Sequence, residues 1–395
     1  MATAVIVDAV RTAGGRRNGK LSGWHPADLA GEVLRQLVER NQLDPALIDD
    51  VIMGCVMQVG SQSLNIGRNA VLAAGFPESV PATSVDRQCG SSQQAAHFAA
   101  QGVIAGAYDI AIAAGVEVMT STPMGASVTP GSFPFGPRMM ARFTEPGLVP
   151  QGISAEMIAD QWNLSREDLD AFGAESQRRA EQATGEGRFD NEIVGVTEKR
   201  LDKETGNVVE SAELVTQDEG IRPGTTPETL ANLKPAFKPD GKVTAGNSSQ
   251  ISDGASALLI MSEEKAKELG LTPRARFHTF ALAGVDPVTM LTGPIPSTQK
   301  ALAKAGMTVD DIDLFEVNEA FASVVLAWQK ELHTDLGKTN VNGGAIALGH
   351  PLGGSGAKLM ATLLNELERT GGRFGLQTMC EGGGLANATI IERLG

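Results

Sequence analysis

The first third of the chain alternates short apolar runs with segments of helical periodicity. Residues 3–10 (TAVIVDAV) and 51–59 (VIMGCVMQV) are rich in β-branched residues and predict strands. Between them, apolar residues at helical spacing predict an amphipathic helix: Leu29, Val33, Leu34, Leu37 and Val38. Strands that alternate with helices favour an α/β fold with a largely parallel sheet. Residues 110–119 (IAIAAGVEVM) carry one charge and predict a strand covered on both faces.

The middle of the chain has a different pattern. Residues 123–150 contain ten Pro or Gly in 28 positions, so a regular sheet is not expected there. Ser165, followed three residues later by Asp168, predicts a capped helix that ends near Gly185. Residues 188–196 (RFDNEIVGV) predict a strand. We interpret this part of the chain as an inserted, more exposed region.

A weak internal repeat relates the two ends of the chain. Residues 43–56 (LDPALIDDVIMGCV) and 307–320 (MTVDDIDLFEVNEA) share a polar helix start with an Ile-Asp pair that enters an apolar strand. Ile48 then corresponds to Ile312, an offset of 264, and the same offset relates Cys89 to Gly353. The pattern predicts two similar α/β halves around the insert, with a site where corresponding turns converge.

Composition excludes several classes of function. The formal net charge of −14 argues against nonspecific attraction to nucleic acid or to an anionic membrane. Apolar runs of the length that a membrane span needs are not found, and the first residues lack the order of a secretory signal, so we expect a cytoplasmic protein. Cys55, Cys89 and Cys380 are too few and too far apart for a disulfide framework or a metal site.

Two of these cysteines are candidates for chemistry. Cys89 precedes a nearly uncharged helix of small residues, whose unpaired N–H groups and dipole favour a thiolate and predict a pKa below about 8.5. A packed core cysteine is the alternative. Cys380 begins the sequence CEGGG between two predicted strands, where glycines leave room for a substrate and expose backbone N–H groups. The alternative is a tight hairpin turn.

Two further residues stand in unusual surroundings. His350 lies in a glycine-rich segment (NVNGGAIALGHPLGGSGAK), which suits a backbone folded against a ligand with the ring projecting into the space. This segment matches neither the P-loop nor the Rossmann glycine pattern. Asn318 interrupts a passage from an apolar strand to a helix, where it could hold a water or polarise a carbonyl. Capping of the following helix is the alternative.

Taken together, the segments resemble the thiolase family of acetyl-CoA acetyltransferases and 3-ketoacyl-CoA thiolases. The resemblance covers nearly the whole chain, in order, through VDAVRTAGGR, DRQCGSSQQA, TAGNSSQISDGASA, GPIPSTQKAL, VNEAFA, NGGAIALGHPLGGSGAK and CEGGG. It implies an α/β thiolase-like fold, in which two similar βαβαβαββ halves form a five-layered αβαβα core with an inserted loop domain. The implied divisions are an N-terminal half (1–120 plus 250–272), an insert with the CoA and acyl-chain contacts (121–249) and a C-terminal half (273–395).

The resemblance also implies roles for the candidate residues. Cys89 resembles the nucleophile that takes the acyl group from CoA as a thioester, and His350 resembles the base that activates it. Cys380 resembles the second thiol, which moves protons to and from the acyl Cα or the leaving CoA. Asn318, acting through a water, and His350 would form one oxyanion hole. Backbone N–H groups at Cys89 and Gly382 would form the second.

The implied partners are small molecules and further copies of the chain. CoA is expected as a cosubstrate, with no bound cofactor and no metal, and the chain is expected as a homodimer or homotetramer. The positions that match CoA contacts in the family are Arg222, Ala245, Ser249 and Phe321. The segments DRQCGSSQQ and QISDGASA are similar to degradative thiolases, including bacterial ones that act on bulky acyl or steroid side-chain CoA esters. The segment VPQGISAE differs from the short-chain biosynthetic enzymes.

The expected function is therefore acyl transfer by a thiolase, either thiolysis of 3-ketoacyl-CoA, as in fatty acid β-oxidation, or the reverse Claisen condensation. A ketoacyl synthase-like condensing enzyme is an alternative, although such enzymes use a Cys-His-His set and this chain has Cys380 at the second position. A catalytically silent acyl-CoA or lipid carrier and a Cys-His-Asn peptidase are the remaining alternatives. Acyl-chain length, metabolic direction and the choice between dimer and tetramer stay open.

Overall fold

The computed structural model describes residues 2–202 and 204–395 as a layered α/β protein. Its strands are β1 (Ala4–Arg11), β2 (Gly15–Arg16), β3 (Asp50–Gly54), β4 (Ala82–Val85), β5 (Ile110–Val118), β6 (Val196–Leu201), β7 (Val208–Val215), β8 (Ser252–Ser262), β9 (Ala275–Gly284), β10 (Leu314–Val317), β11 (Phe374–Glu381) and β12 (Leu385–Arg393). Its helices are α1 (Pro26–Arg40), α2 (Ile66–Ala73), α3 (Ser91–Ile104), α4 (Pro137–Met140), α5 (Gln151–Gln161), α6 (Arg166–Gly185), α7 (Pro227–Ala231), α8 (Glu263–Glu268), α9 (Pro294–Ala305), α10 (Ala322–Leu332), α11 (Ala345–Leu348) and α12 (Ser355–Thr370).

The main sheet consists of two halves with the same strand arrangement. Its order is β10-β11-β12-β9-β1-β8-β5-β3-β4, and β2 adds to β8. In one half β3 and β5 are parallel, and β8 and β1 follow as antiparallel neighbours. In the other half β10 and β11 are parallel, and β12 and β9 follow in the same way. A short antiparallel pairing of β1 with β9 joins them. The prediction of two similar halves is confirmed.

The predicted repeat is visible in where elements begin. An offset of 264 separates the first residues of two 3₁₀ turns, of two strands and of two helices. These pairs are Pro45 and Val309, Asp50 and Leu314, and Ser91 and Ser355. Cys89 and Gly353 each stand two residues before the start of their helix, as the repeat predicts.

The helices form three layers around the two half-sheets. Helices α1 and α2 pack on the outer face of the N-terminal half, and α9 and α10 pack on the outer face of the C-terminal half. Helices α3 and α12 lie between the halves, where small residues such as Ala95, Ala99, Ala357 and Ala361 are fully buried. Small side chains let the two central helices approach closely, which produces the five-layered αβαβα core. The sheet and helix layers together place the starts of α3 and α12 at the same end of the core.

Residues 123–150 of the insert form no regular sheet, as expected, although β6 and β7 pair with each other farther along it. Residues 123–150 contain only the short α4 among their described elements. Helix α6 begins after Ser165, which forms a capping box with Asp168, and ends at Gly185 as predicted. The prediction of a strand at 188–196 is wrong. The chain turns there, and Glu192 is buried against Arg11 before β6 begins. In the described ranges, the helices are all too short or too polar to cross a membrane.

Candidate active site

Cys89 lies in the turn between β4 and α3 and is 6% exposed. The preceding residue, Gln88, has a left-handed backbone (φ 47°), which is uncommon for a residue with a side chain. The Ser91 hydroxyl stabilises the turn, since it accepts from the Arg87 N–H (3.0 Å) and donates to the Gln88 carbonyl (2.5 Å). The result is a strained turn that holds the thiol at the start of a buried helix.

The expected low pKa of Cys89 is wrong. Burial raises the pKa of the thiol to about 12, and the nearby Glu381 carboxylate adds to the rise. The backbone N–H groups of Cys89 and Gly382 act in the opposite direction, but they do not outweigh the loss of water. In the ligand-free protein Cys89 is therefore a thiol, and it needs a base to become a nucleophile.

Cys380 is fully buried near the end of β11, beside the turn of the β11–β12 hairpin. Burial raises the pKa of this thiol well above its usual range, and proximity to Cys89 raises it further. The turn continues through Gly382, whose N–H faces the Cys89 sulfur. CEGGG therefore forms a hairpin turn, as one interpretation expected, and this turn brings Cys380 and a backbone donor to Cys89.

His350 follows α11 and is 4% exposed. Its Nδ1 lies 2.5 Å from the Ser355 Oγ, and its Nε2 lies 3.4 Å from the Asn318 Nδ2. The Ser355 hydroxyl donates its single proton to the Pro351 carbonyl (2.8 Å), so it accepts from an Nδ1–H. Burial lowers the pKa of His350 to about 3, and the Lys358 charge adds to the effect. The ring is therefore neutral, and its Nε2 carries a lone pair that accepts only the long contact from Asn318 and suits a general base.

Asn318 sits in the passage from β10 to α10 and is 1% exposed. Its backbone N–H donates to the Thr378 carbonyl (3.1 Å), while its Oδ1 is buried without a hydrogen-bond partner in the part of the chain that the structure describes. Phe321, not Asn318, is the N-cap residue of α10, so the capping alternative is wrong. The neighbouring Glu319 anchors the segment through three hydrogen bonds. The donors to its carboxylate are Ser176 Oγ, Asn340 Nδ2 and Ile346 N.

Of the four residues that match CoA contacts, three lie in the insert, and Phe321 lies at the start of α10. Arg222 and Ala245 are exposed on loops, and the Arg222 N–H donates to the Gln177 side chain (2.8 Å). Ser249 is half-buried and donates its N–H to the carbonyl just before Phe321 (2.9 Å). Ser249 and Phe321 are therefore adjacent to the passage that carries Asn318, while Arg222 and Ala245 lie farther out on the surface.

Comparison with known proteins identifies the family. Family models of the thiolase N-terminal domain and the thiolase C-terminal domain match residues 4–264 and 271–393. The chain belongs to the thiolase family. It is therefore an acyltransferase.

Three relatives show how extensive the similarity is. The steroid 3-ketoacyl-CoA thiolase FadA6 of Mycobacterium tuberculosis is 50% identical, with 100% of this chain and 95% of that protein covered. A 3-ketoacyl-CoA thiolase of Psychrobacter cryohalolentis is 48% identical, over 99% and 98% of the two chains. The crystal structure of a Bacillus anthracis acetyl-CoA acetyltransferase superposes with a TM-score of 0.89 at 39% identity, over 100% and 99%.

Sequence reasoning missed several residues around the thiolase site. Glu117, the single charge in the apolar run 110–119, is fully buried on β5. Its carboxylate accepts from the N–H groups of Val56 (3.0 Å), Met57 (3.1 Å) and Gly353 (2.9 Å) and thereby joins the segment after β3 to the turn before α12. Ser355 and Lys358, both on α12 near His350, were also missed. A lone charge in an apolar run is the signal that could have identified Glu117 and Lys358.

Proposed function

We propose that this thiolase cleaves 3-ketoacyl-CoA esters by thiolysis, through an acyl thioester on Cys89. The observation that carries the proposal is the meeting of two electrostatically coupled thiols, Cys89 and Cys380, with the Gly382 N–H facing the Cys89 sulfur. His350, neutral and with its lone pair on Nε2, supplies the base that the buried Cys89 thiol needs. A single nucleophile would serve acyl transfer alone, whereas a second thiol suits proton transfer at carbon.

The proposed reaction has two halves. In the first, His350 accepts the Cys89 proton, the sulfur attacks the 3-keto carbonyl and the C2–C3 bond breaks. The acetyl-CoA enolate that departs takes a proton from Cys380. In the second, CoA loses its thiol proton to Cys380 and attacks the Cys89 thioester, which releases an acyl-CoA shortened by two carbons. His350 returns its proton to Cys89 as the thioester breaks, so the sequence is ping-pong and balanced.

Two sets of donors would stabilise the charge that develops on oxygen. Asn318, through a water, and His350 would stabilise the enolate oxygen. The N–H groups of Cys89 and Gly382 would stabilise the tetrahedral adduct on the Cys89 thioester. Separate holes are needed because the two oxyanions form on different carbonyl groups.

The proposal includes the substrate and the setting. We place the acyl and CoA contacts in residues 121–249, between the N-terminal half (1–120 plus 250–272) and the C-terminal half (273–395). Arg222, Ala245, Ser249 and Phe321 would contact CoA, which acts as cosubstrate, with no resident cofactor or metal. The names of the relatives support a degradative role on 3-ketoacyl-CoA esters of fatty acyl or steroid type. A cytoplasmic homodimer or homotetramer, with neither nucleic acid nor membrane as a partner, completes the proposal.

Acyl-enzyme formation tests the roles of the two thiols. Cys89→Ala should abolish the acyl adduct detected by mass spectrometry after incubation with acyl-CoA. Cys380→Ser should retain the adduct on Cys89 but lose cleavage of acetoacetyl-CoA and longer 3-ketoacyl-CoA esters. Cys55→Ala is the matched control, since Cys55 is a buried thiol outside the site. Acylation elsewhere in Cys89→Ala, or equal loss of both steps in Cys380→Ser, would overturn the proposal.

A further inference from the structure

Lys358 is a buried ammonium on α12, and it contacts the backbone immediately before His350. Its side chain is 6% exposed. The Nζ atom donates to the Leu348 carbonyl (2.5 Å) and to the Gly349 carbonyl (3.3 Å). Ser355, one helical turn earlier on α12, holds the His350 ring itself. One helix face therefore contacts both the ring and the chain that carries it.

A buried set of charges keeps this ammonium in place. Asp218, from the insert, lies 3.9 Å from the Lys358 Nζ. Arg11 on β1 donates to both Asp218 oxygens (2.8 and 3.0 Å) and to Glu192 (2.6 Å). Two cations and two anions thus balance within the core, where an unpaired charge would be costly. The backbone of Gly14 also passes close to these charged side chains, since a Cβ at that position would lie 3.3 Å from the Lys358 Nζ.

The same charges decide the protonation of Lys358. Burial lowers the pKa of Lys358 to about 8, while Asp218 raises it and Arg11 lowers it. Burial alone would raise the pKa of Asp218, but Arg11 and Lys358 hold it below its usual value. Lys358 is therefore mainly charged at neutral pH. It is also the charged group that, after burial, lowers the pKa of His350.

We propose that Lys358 is a positioning residue for His350: its ammonium holds the two carbonyls that precede the ring and thereby fixes where the imidazole stands. The inference rests on the proposed role of His350 as the base. It assigns a function to a side chain that does not touch the reacting atoms. It also gives the insert, through Asp218, a physical link to the base.

The test is the pH dependence of Cys89 acylation by acetyl-CoA, followed by mass spectrometry between pH 5 and 9. Lys358→Met removes both the donors and the charge. It should lower the acylation rate at pH 6 about tenfold to a hundredfold, in line with the loss of charged hydrogen bonds. In the wild type the rate should fall as the pH passes about 8, because Lys358 then loses its charge, and the variant should lack that fall. Lys358→Gln keeps a donor without the charge, so it should also lack the fall near pH 8, even where Lys358→Met folds poorly.

Two further variants separate positioning from a structural role. Lys358→Arg should retain the wild-type rate at pH 6 and keep it above pH 8, since a guanidinium stays charged there. Thr362→Val is the matched control, since Thr362 is buried on α12 and donates to Glu192 (2.8 Å) in the same charged set, one turn beyond Lys358. It should lower the melting temperature but keep the fall near pH 8. Wild-type pH dependence in Lys358→Gln, or loss of that fall in Thr362→Val, would overturn the inference. Failure of the wild-type protein to acylate Cys89 would instead overturn the proposed function.

Discussion

His350 Nδ1 and Ser355 Oγ are joined by a hydrogen bond of 2.5 Å. Ser355 also donates to the Pro351 carbonyl at 2.8 Å, and a hydroxyl has one proton to give. The serine therefore accepts from the ring, which places the imidazole proton on Nδ1 and leaves Nε2 available as a base. The tautomer of His350 is decided by the first turn of α12, five residues further along the chain.

Replacement of Ser355 should slow proton transfer by His350 more than it lowers the stability of the fold. In Ser355→Ala the Nδ1–H loses its acceptor, so the ring can turn or adopt the other tautomer. We expect acylation of Cys89 by acetyl-CoA to slow about tenfold, as expected for one lost hydrogen bond. Stopped-time mass spectrometry of the Cys89 peptide measures the rate.

Ser262→Ala is the control for the serine prediction. Ser262 is also buried, and its hydroxyl accepts from the Lys265 N–H at the start of α8 (3.1 Å), in a helix cap that does not contact His350. This variant should lose stability by about 1 kcal/mol and keep the wild-type acylation rate. Equal acylation rates in Ser355→Ala and the wild type would contradict the proposed control of the tautomer.

Glu381 makes the stability of the protein depend on pH. Burial raises the pKa of its carboxyl from 4.5 to about 8, although the Arg87 charge and the Asn387 N–H act in the opposite direction. Between these pH values the folded state binds a proton that the unfolded state has lost. The stabilisation is therefore complete below about pH 4.5 and is lost as the pH rises to about 8. At 1.36 kcal/mol per pKa unit, the loss amounts to as much as about 5 kcal/mol.

Glu381→Gln should remove this contribution. We expect the difference in unfolding free energy between variant and wild type to increase from pH 5 to pH 8 and then to level off. Urea denaturation at each pH measures it, with the exposed Glu264→Gln as the matched control. The variant should also make Cys89 easier to alkylate with iodoacetamide above pH 8, since the Glu381 charge raises the pKa of that thiol. A flat difference curve for Glu381→Gln would show that the carboxyl is ionised in the folded protein.

The order of elements could be predicted because it depends on local patterns. The apolar run 110–119 is β5, the Ser165 capping box opens α6, and the repeat offset places the starts of α3 and α12. The candidate residues could be chosen because Cys89 and His350 stand in unusual local surroundings. The strand expected at 188–196 failed because burial of Glu192 against Arg11, 181 residues away in the chain, outweighs local β propensity.

The electrostatics of the site could not be predicted in the same way. The sequence shows that Cys89 begins a helix, but it does not show that the thiol is deprived of water and lies near Glu381. Burial then reverses the expected direction of the pKa shift. Lys358 likewise depends on Asp218, which reaches it from the insert, 140 residues earlier in the chain. In the sequence, long-range contacts of this kind are indicated only by an isolated charge in an apolar segment.

In the turn that follows Cys380, substitution of Gly383 serves as the control for substitution of its neighbour Gly384. Gly383 and Gly384 share a left-handed backbone with φ +81°. A Cβ at Gly383 would meet nothing within 4 Å, whereas a Cβ at Gly384 would lie 2.7 Å from the Val285 carbonyl. Gly383→Ala should therefore cost only the left-handed conformation, about 1 kcal/mol of unfolding free energy. Gly384→Ala should cost more and should displace the hairpin turn.

Displacement of the turn would move the Gly382 N–H away from the Cys89 sulfur. Since loss of one oxyanion donor costs about a hundredfold or more in rate, Gly384→Ala should slow acylation of Cys89 by that order. Gly383→Ala should stay within a few-fold of the wild type. Urea denaturation and acylation rates on the two variants check both expectations. Equal slowing of acylation by the two substitutions would contradict this prediction. The effect would then follow from the left-handed backbone alone, and not from the clash of a Gly384 side chain with the Val285 carbonyl.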